Sequence, residues 1–163
     1  MVKTAQGWHF DMAQAQDEIQ TREIGRNELS AIQAMQGYVD AQNDYYQRFQ
    51  RYAGKLLSSE GQQDGLYWPT APGEEPSPLE PAYSPNTPES GYHGYRFRII
   101  ADQEQQGFAL IAWPVKYAVT GIMSFMIDRN DTVYQANLGE LSASKAAEVK
   151  AFTVDKPWEE IAQ

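Results

Sequence analysis

The sequence predicts an α+β domain: a long N-terminal helix packed across an antiparallel β-meander, with a proline-rich loop between them and a short helix near the end. Three observations carry this prediction. Apolar residues recur at helical spacing most strongly in the first third of the chain. Seven of the nine prolines crowd between Pro69 and Pro88. Short apolar runs separated by turn-rich stretches fill residues 95–136, leaving no room for crossover helices, so neighbouring strands must run antiparallel. At 163 residues and 42% hydrophobic content the chain supports one core rather than two, and residues 1–163 are expected to form a single domain.

Taken in order, residues 11–24 (DMAQAQDEIQTREI) are mostly strong helix formers. Gly25 is expected to interrupt them, and Asn27 to cap a second helix over residues 26–47. In that helix Leu29, Ile32, Met35, Val39 and Tyr46 form one apolar stripe at the 3.6-residue period, with Glu28, Gln33, Gln36, Asp40 and Asn43 largely off it. Residues 67–90 hold the dense prolines interleaved with Glu and Ser; such prolines forbid helix and remove strand donors, so an extended surface loop follows. Tyr95–Ile100 (YRFRII) alternates at its start, Tyr95, Phe97 and Ile99 on one face and Arg96 and Arg98 on the other. Further strands are predicted over Phe108–Trp113, which Pro114 ends, then Thr120–Asp128 and Thr132–Ala136. A last amphipathic helix is predicted over residues 142–152. Leu29, Ile32, Met35, Val39, Phe97, Ile99, Phe108, Leu110, Ile122 and Phe125 are the expected core, each large side chain worth roughly 1.5–3 kcal/mol on burial.

Composition removes several function classes. A formal net charge of −9, with no run of Lys and Arg, repels phosphate backbones and disfavours nucleic-acid binding. The lack of cysteine excludes disulfides, thiolate zinc sites, iron–sulfur clusters and a thiol nucleophile, and two histidines cannot make a three-histidine metal site within one chain. Met1–Phe10 has no apolar signal core, and the most apolar stretch, Gly107–Ile127, is broken by Pro114 and Lys116, so neither a signal peptide nor a membrane span is expected in this chain.

Six strings then give a resemblance: Ile24-Gly-Arg-Asn-Glu-Leu29, Tyr38-Val-Asp-Ala-Gln42, Asp64-Gly-Leu-Tyr-Trp-Pro69, Tyr92-His-Gly-Tyr-Arg-Phe97, Gly107-Phe-Ala-Leu-Ile-Ala-Trp-Pro114, and Val133-Tyr134 with Leu138-Gly139. In this order, between about Gly7 and Trp158, they resemble a secreted bacterial family of unknown function, domain-of-unknown-function family 2950. The chain departs from that pattern at Glu23, where such proteins carry Arg, and in the short Asp102–Gly107 turn. The order of helix, Gly-Leu-Tyr loop and sheet also resembles the globular domain of type IV pilin-like proteins. These resemblances imply a periplasmic or secreted setting and a pilin-like scaffold for binding or assembly, with a protein partner or a small-molecule ligand.

The chemical candidates are few. His93, between Tyr92 and Gly94, can serve as a general base or metal ligand, with Asp64 or Glu28 orienting it and Arg26 as oxyanion partner. That set would suit a small hydrolase of esters, lactones or amides, aided by Ca²⁺, because a metal-activated water needs no Ser or Cys nucleophile. The plainer reading makes His93 a loop histidine and the charges around Arg26 and Glu28 helix-end ion pairs. Asp128, Asn130 and Asp131 have the spacing that opens a calcium loop, yet lack its Gly and its distant Glu, and an Asx turn explains them equally. Tyr67, Trp68, Tyr92, Tyr95 and Trp113 flank the proline-rich loop as a candidate aromatic platform for a ligand, or as the packing that pins the loop down.

Overall fold

A computed structural model describes residues 2–4, 7–9, 12–79, 91–101 and 107–161, with side chains from residue 15 onward. A small hairpin, β1 (Val2–Thr4) with β2 (Gly7–His9), precedes the helix α1 (Met12–Phe49). The sheet follows as β3 (Tyr95–Ala101), β4 (Phe108–Pro114), β5 (Ser124–Asp128), β6 (Val133–Ala136) and β7 (Glu159–Glu160), in spatial order β3-β4-β5-β6-β7. Every neighbouring pair is antiparallel. A 3₁₀ turn (Gly139–Leu141) leads into α2 (Ser142–Glu148). The fold is therefore α+β, with a meander as its sheet.

The two predicted helices are one. Gly25 keeps a helical backbone and does not break α1, because a glycine costs only about 1 kcal/mol relative to alanine while the nucleation cost of a helix is met once for all 38 residues. Asn27 consequently caps nothing; its side-chain Nδ2 donates to the Thr120 carbonyl at 3.0 Å and ties the helix to the loop after β4.

The buried face of α1 is also rotated by about one residue from the predicted stripe. Met35 and Val39 are buried, Ile32 is half-buried, and Leu29 is 63% exposed. Ala31, Ala34, Tyr38, Ala41 and Tyr45 occupy the centre of the face, small residues letting the helix approach the sheet and tyrosines filling the space between. Gln42 is fully buried, and it grips the backbone of Ala53, donating to its carbonyl and accepting from its N–H, both at 2.8 Å. Hydrophobic patterning cannot find such a residue, because a satisfied amide is buried as readily as a leucine.

The sheet is covered on both faces. On one, Tyr38 of α1 meets Phe97 edge to face at 5.3 Å, and Tyr95, Phe108, Leu110, Phe125 and Ile127 join the same core. On the other, Ile100, Ala109, Ile111 and Met126 pack beneath Ala146 of α2, Phe152 and Trp158. This double burial explains why the central strand β4 reads as an almost continuous apolar run. Two predicted boundaries shift. Residues 120–122 form a turn rather than strand, leaving Ile122 exposed, and α2 stops at Glu148 instead of 152 because residues 150–152 are drawn out along the end of β3. The sheet gains β7, too short and too acidic to read as a strand from sequence. Of the predicted proline-rich loop, residues 67–79 are described and carry no helix; Pro69–Pro76 is exposed, whereas Trp68 and Leu79 are buried anchors. Residues 80–90 lie outside the described residues.

Candidate functional site

Among the described residues, the outer edge of β3 is the most open part of the sheet. Gly94 accepts a hydrogen bond from the Val115 N–H at 2.8 Å, and Pro114, opposite Tyr95, has no N–H to give. In an antiparallel ladder these facts set the alternation: Arg96, Arg98 and Ile100 exchange hydrogen bonds with β4, while Tyr95, Phe97, Ile99 and Ala101 turn their backbone groups outward. The chain itself satisfies both ends of that outward row. Tyr95 exchanges bonds with Tyr92 at 2.9 and 3.0 Å. Ala101 accepts from Phe152 at 2.8 Å and donates to Lys150 at 3.4 Å. Between them, the outward N–H and C=O groups of Phe97 and Ile99 have no partner among the described residues. The opposite edge of the sheet is blunted in the usual way, by a two-residue strand made of Glu159 and Glu160.

A groove of about 470 Å³ runs beside this open edge. Its far wall is Gly54–Leu57; its near wall is Tyr95–Ile99, with Trp113 behind. The far wall is fixed in place. Leu57 bridges Tyr67 in parallel, with Ser58 donating to Tyr67 at 2.8 Å and Tyr67 donating to Leu56 at 2.9 Å. Gly65 is required there, since a Cβ would lie 2.6 Å from the Leu57 carbonyl carbon. Asp64 closes the loop: its carboxylate accepts from the Ser59 N–H at 2.7 Å, the Ser59 hydroxyl at 3.0 Å and the Lys55 ammonium at 2.6 Å. The hydrogen bond from Lys55, followed by that from the Ser59 N–H, lowers the Asp64 pKa to about 2. Among the described residues the groove lining includes Lys55, Arg96 and Arg98, and the Lys55 ammonium is paired with Asp64 just outside it. Arg98 donates to the Ala146 and Val149 carbonyls at 2.6 and 2.7 Å, capping α2 with a cation whose charge those neutral partners do not cancel.

The residues singled out from sequence fall into separate places. Tyr95 and Trp113 line the groove. Tyr67 and Trp68 line a cavity of about 250 Å³ with Pro69, Pro76 and Leu79, and the buried Trp68 indole N–H has no acceptor among the described residues. Tyr92 packs edge to face on His93 at 4.4 Å, and His93 is exposed on a turn with φ 46°. Glu28 accepts the N–H groups of Ile122 and Met123, both at 3.0 Å. The Tyr95 hydroxyl donates to the Met123 carbonyl at 2.8 Å; burial first, and then the Glu28 charge, push its pKa upward. Asp64 serves the clasp described above, and Arg26 is exposed on α1. Asp128 Oδ1 accepts from the N–H groups of Asn130 and Thr132, both at 2.9 Å, and Asp131 holds φ 65°, so this trio builds the β5–β6 turn. Burial and the charges of Asp40 and Asp128 raise the Asp131 pKa. Among the described residues no three His, Asp or Glu side chains converge as metal ligands, and no helix is long and apolar enough to cross a membrane.

Sequence reasoning missed Leu56, Leu57, Ile99 and the two arginines as groove residues. The alternation of YRFRII was a legible signal for a strand with one cationic face. That this strand lies at an edge is a property of the sheet order alone.

No curated protein and no solved structure matches the chain. The family model described as "Protein of unknown function (DUF2950)" matches residues 1–161, and the chain belongs to that family.

Proposed function

We propose that this protein is a binding module that takes up an extended segment of a partner protein by adding it as a strand to the edge of β3. The observation that carries this reading is the middle of that edge: both ends are closed by the chain's own backbone, while the outward donors and acceptors of Phe97 and Ile99 meet no partner among the described residues and lie beside an apolar groove. Four main-chain bonds at about 1 kcal/mol each do not outweigh an association cost of roughly 4–15 kcal/mol. Contacts with Leu56, Leu57, Phe97 and Trp113 must therefore supply much of the affinity, which is why the groove matters as much as the edge. An extracytoplasmic setting and a pilin-like scaffold role are part of the proposal, supported by the resemblances of sequence order.

Hydrogen exchange tests it. In the unbound protein the amides of Phe97 and Ile99 should exchange quickly while those of Arg96, Arg98 and Ile100 are protected. Peptides selected from a random nonapeptide display library against the protein should slow Phe97 and Ile99 on binding. Ile99→Pro removes one outward donor at an edge position where proline is tolerated, and should abolish capture while the thermal midpoint stays within a few degrees. Selected peptides that bind without protecting these two amides would overturn the reading.

A further inference from the structure

Resting on the extracytoplasmic part of that reading, we infer that Asn130 is an attachment site for an N-linked glycan, transferred from a polyprenyl-diphosphate oligosaccharide by an oligosaccharyltransferase. The sequence carries the minimal acceptor in Asn130-Asp131-Thr132: an asparagine followed two residues later by a hydroxyl, with no proline between. Of the five asparagines in the chain, Asn130 alone has it. Leu29, Tyr45, Pro88 and Gly139 stand two residues after Asn27, Asn43, Asn86 and Asn137.

Such a sequence is usable only where the folded chain tolerates a sugar, and this one lies at the tip of the β5–β6 hairpin. The turn is built without the Asn130 side chain. Asp128 Oδ1 accepts the N–H groups of Asn130 and Thr132, both at 2.9 Å, and the Asp131 N–H donates to the Asp128 carbonyl at 3.2 Å. The Asp128 N–H donates to the Thr132 carbonyl, also at 3.2 Å, and Asp131 at φ 65° reverses the chain. The Asn130 carboxamide contributes least: its Nδ2 reaches Asp128 Oδ2 only at 3.3 Å, beyond the roughly 2.7–3.2 Å of a good N–H···O bond. Arg129, Asn130 and Asp131 are exposed, and packing resumes at the buried Ile127 and Val133 on either side of the turn. Asp128 follows Ile127 at the end of β5, opposite Ala109 of β4, which pairs in turn with Ile100 of β3. The attachment point is therefore two strands, about 10 Å, in from the β3 edge, and a glycan there is compatible with a strand added at Phe97 and Ile99.

The transfer is a substitution at the anomeric carbon of the first sugar. The bond from Asn130 Nδ2 to that carbon forms and the bond from the carbon to the diphosphate oxygen breaks. Polyprenyl diphosphate leaves with the electron pair, and one Nδ2 proton passes to a base of the transferase. The backbone hydrogen bonds of the turn are untouched, so the folded chain carries the product at little cost.

The test has two arms. In the first, the full chain is exported behind a cleavable leader into a bacterial periplasm that holds an oligosaccharyltransferase and a polyprenyl-diphosphate oligosaccharide, and intact-mass spectrometry reads the product. Wild type should gain the mass of one oligosaccharide, and Thr132→Ser should gain it at reduced occupancy. Asn130→Gln and Thr132→Val should gain none, and Asn130→Gln should melt within about 2 °C of wild type, as exposed substitutions do. A wild-type chain that stays bare in that periplasm, or a glycan that persists in Asn130→Gln, overturns the inference. In the second arm the protein is recovered from fractionated native cells. A glycan on Asn130 in the extracytoplasmic fraction supports the site and its setting together. A bare Asn130 in that fraction overturns the glycan and leaves the extracytoplasmic reading intact, whereas a bare chain confined to the cytoplasm removes both.

Discussion

Replacing Glu28 by alanine removes the acceptor that holds the turn after β4 against α1. Glu28 Oε1 accepts two backbone N–H groups, from Ile122 and Met123, each at 3.0 Å. Hydrogen bonds to a charged partner contribute about 1.5–3 kcal/mol each, and the exposure of Ile122 argues for the lower figure. Two such bonds give about 3 kcal/mol. Alanine's better helix propensity returns a few tenths, so the net loss is about 2.5 kcal/mol. In a domain of this size each kcal/mol moves the thermal midpoint by roughly 2–4 °C, so Glu28→Ala should unfold about 5–10 °C below wild type. Glu28→Gln keeps an acceptor oxygen but loses the charge, and should fall by about half as much. Thermal unfolding followed by circular dichroism gives both values, and hydrogen exchange at Ile122 and Met123 shows whether the loss is local. A Glu28→Ala midpoint within 2 °C of wild type, or a glutamine variant as damaged as the alanine one, would refute the reasoning.

Three further outcomes are expected. Gly121→Ala places a Cβ against the hydroxyl end of Tyr95, which is buried and bonded to Met123 and cannot swing aside, so the urea midpoint should drop by the equivalent of about 2–3 kcal/mol with an unchanged m-value; a wild-type midpoint would contradict this contact. Ser124→Ala removes a fully buried hydroxyl that has no hydrogen-bond partner among the described residues, and should raise stability by about 1 kcal/mol; a loss of stability would show that the hydroxyl is satisfied. Asp64 has a folded pKa near 2, below its unfolded value of about 4, so it adds stability above pH 4 that is lost as pH falls through about 2. Urea midpoints of wild type and Asp64→Asn should accordingly differ at pH 6 and draw together as pH falls toward 2, and a gap as wide at pH 2 as at pH 6 would show that the clasp acts through something other than the carboxylate charge.

The amino-acid sequence by itself determined the class of fold. Period-3.6 spacing before residue 50, proline density after residue 67 and short apolar runs after residue 95 leave an α+β chain with an antiparallel meander as the simplest solution, and these are local properties of neighbouring residues. Even the cationic face of β3 was legible, because alternation in YRFRII is a period-two signal. The face of α1 that is buried was not: Leu29 and Ala31 are both acceptable on a helix, and only the sheet's position selects the alanine face for close approach. Gly25 could not announce that it would stay helical, because its cost of about 1 kcal/mol is small beside the packing of the helix that contains it. The same holds for Glu28 and Asp64, whose carboxylates looked like chemistry from sequence and are engaged as clasps on backbone donors. The edge at Phe97 and Ile99, open among the described residues, is decided at the furthest remove. It depends on which strand lies outermost and on where residues 92 and 150–152 return to latch its ends, and backbone hydrogen bonds between residues so distant in sequence are specified by the tertiary structure alone.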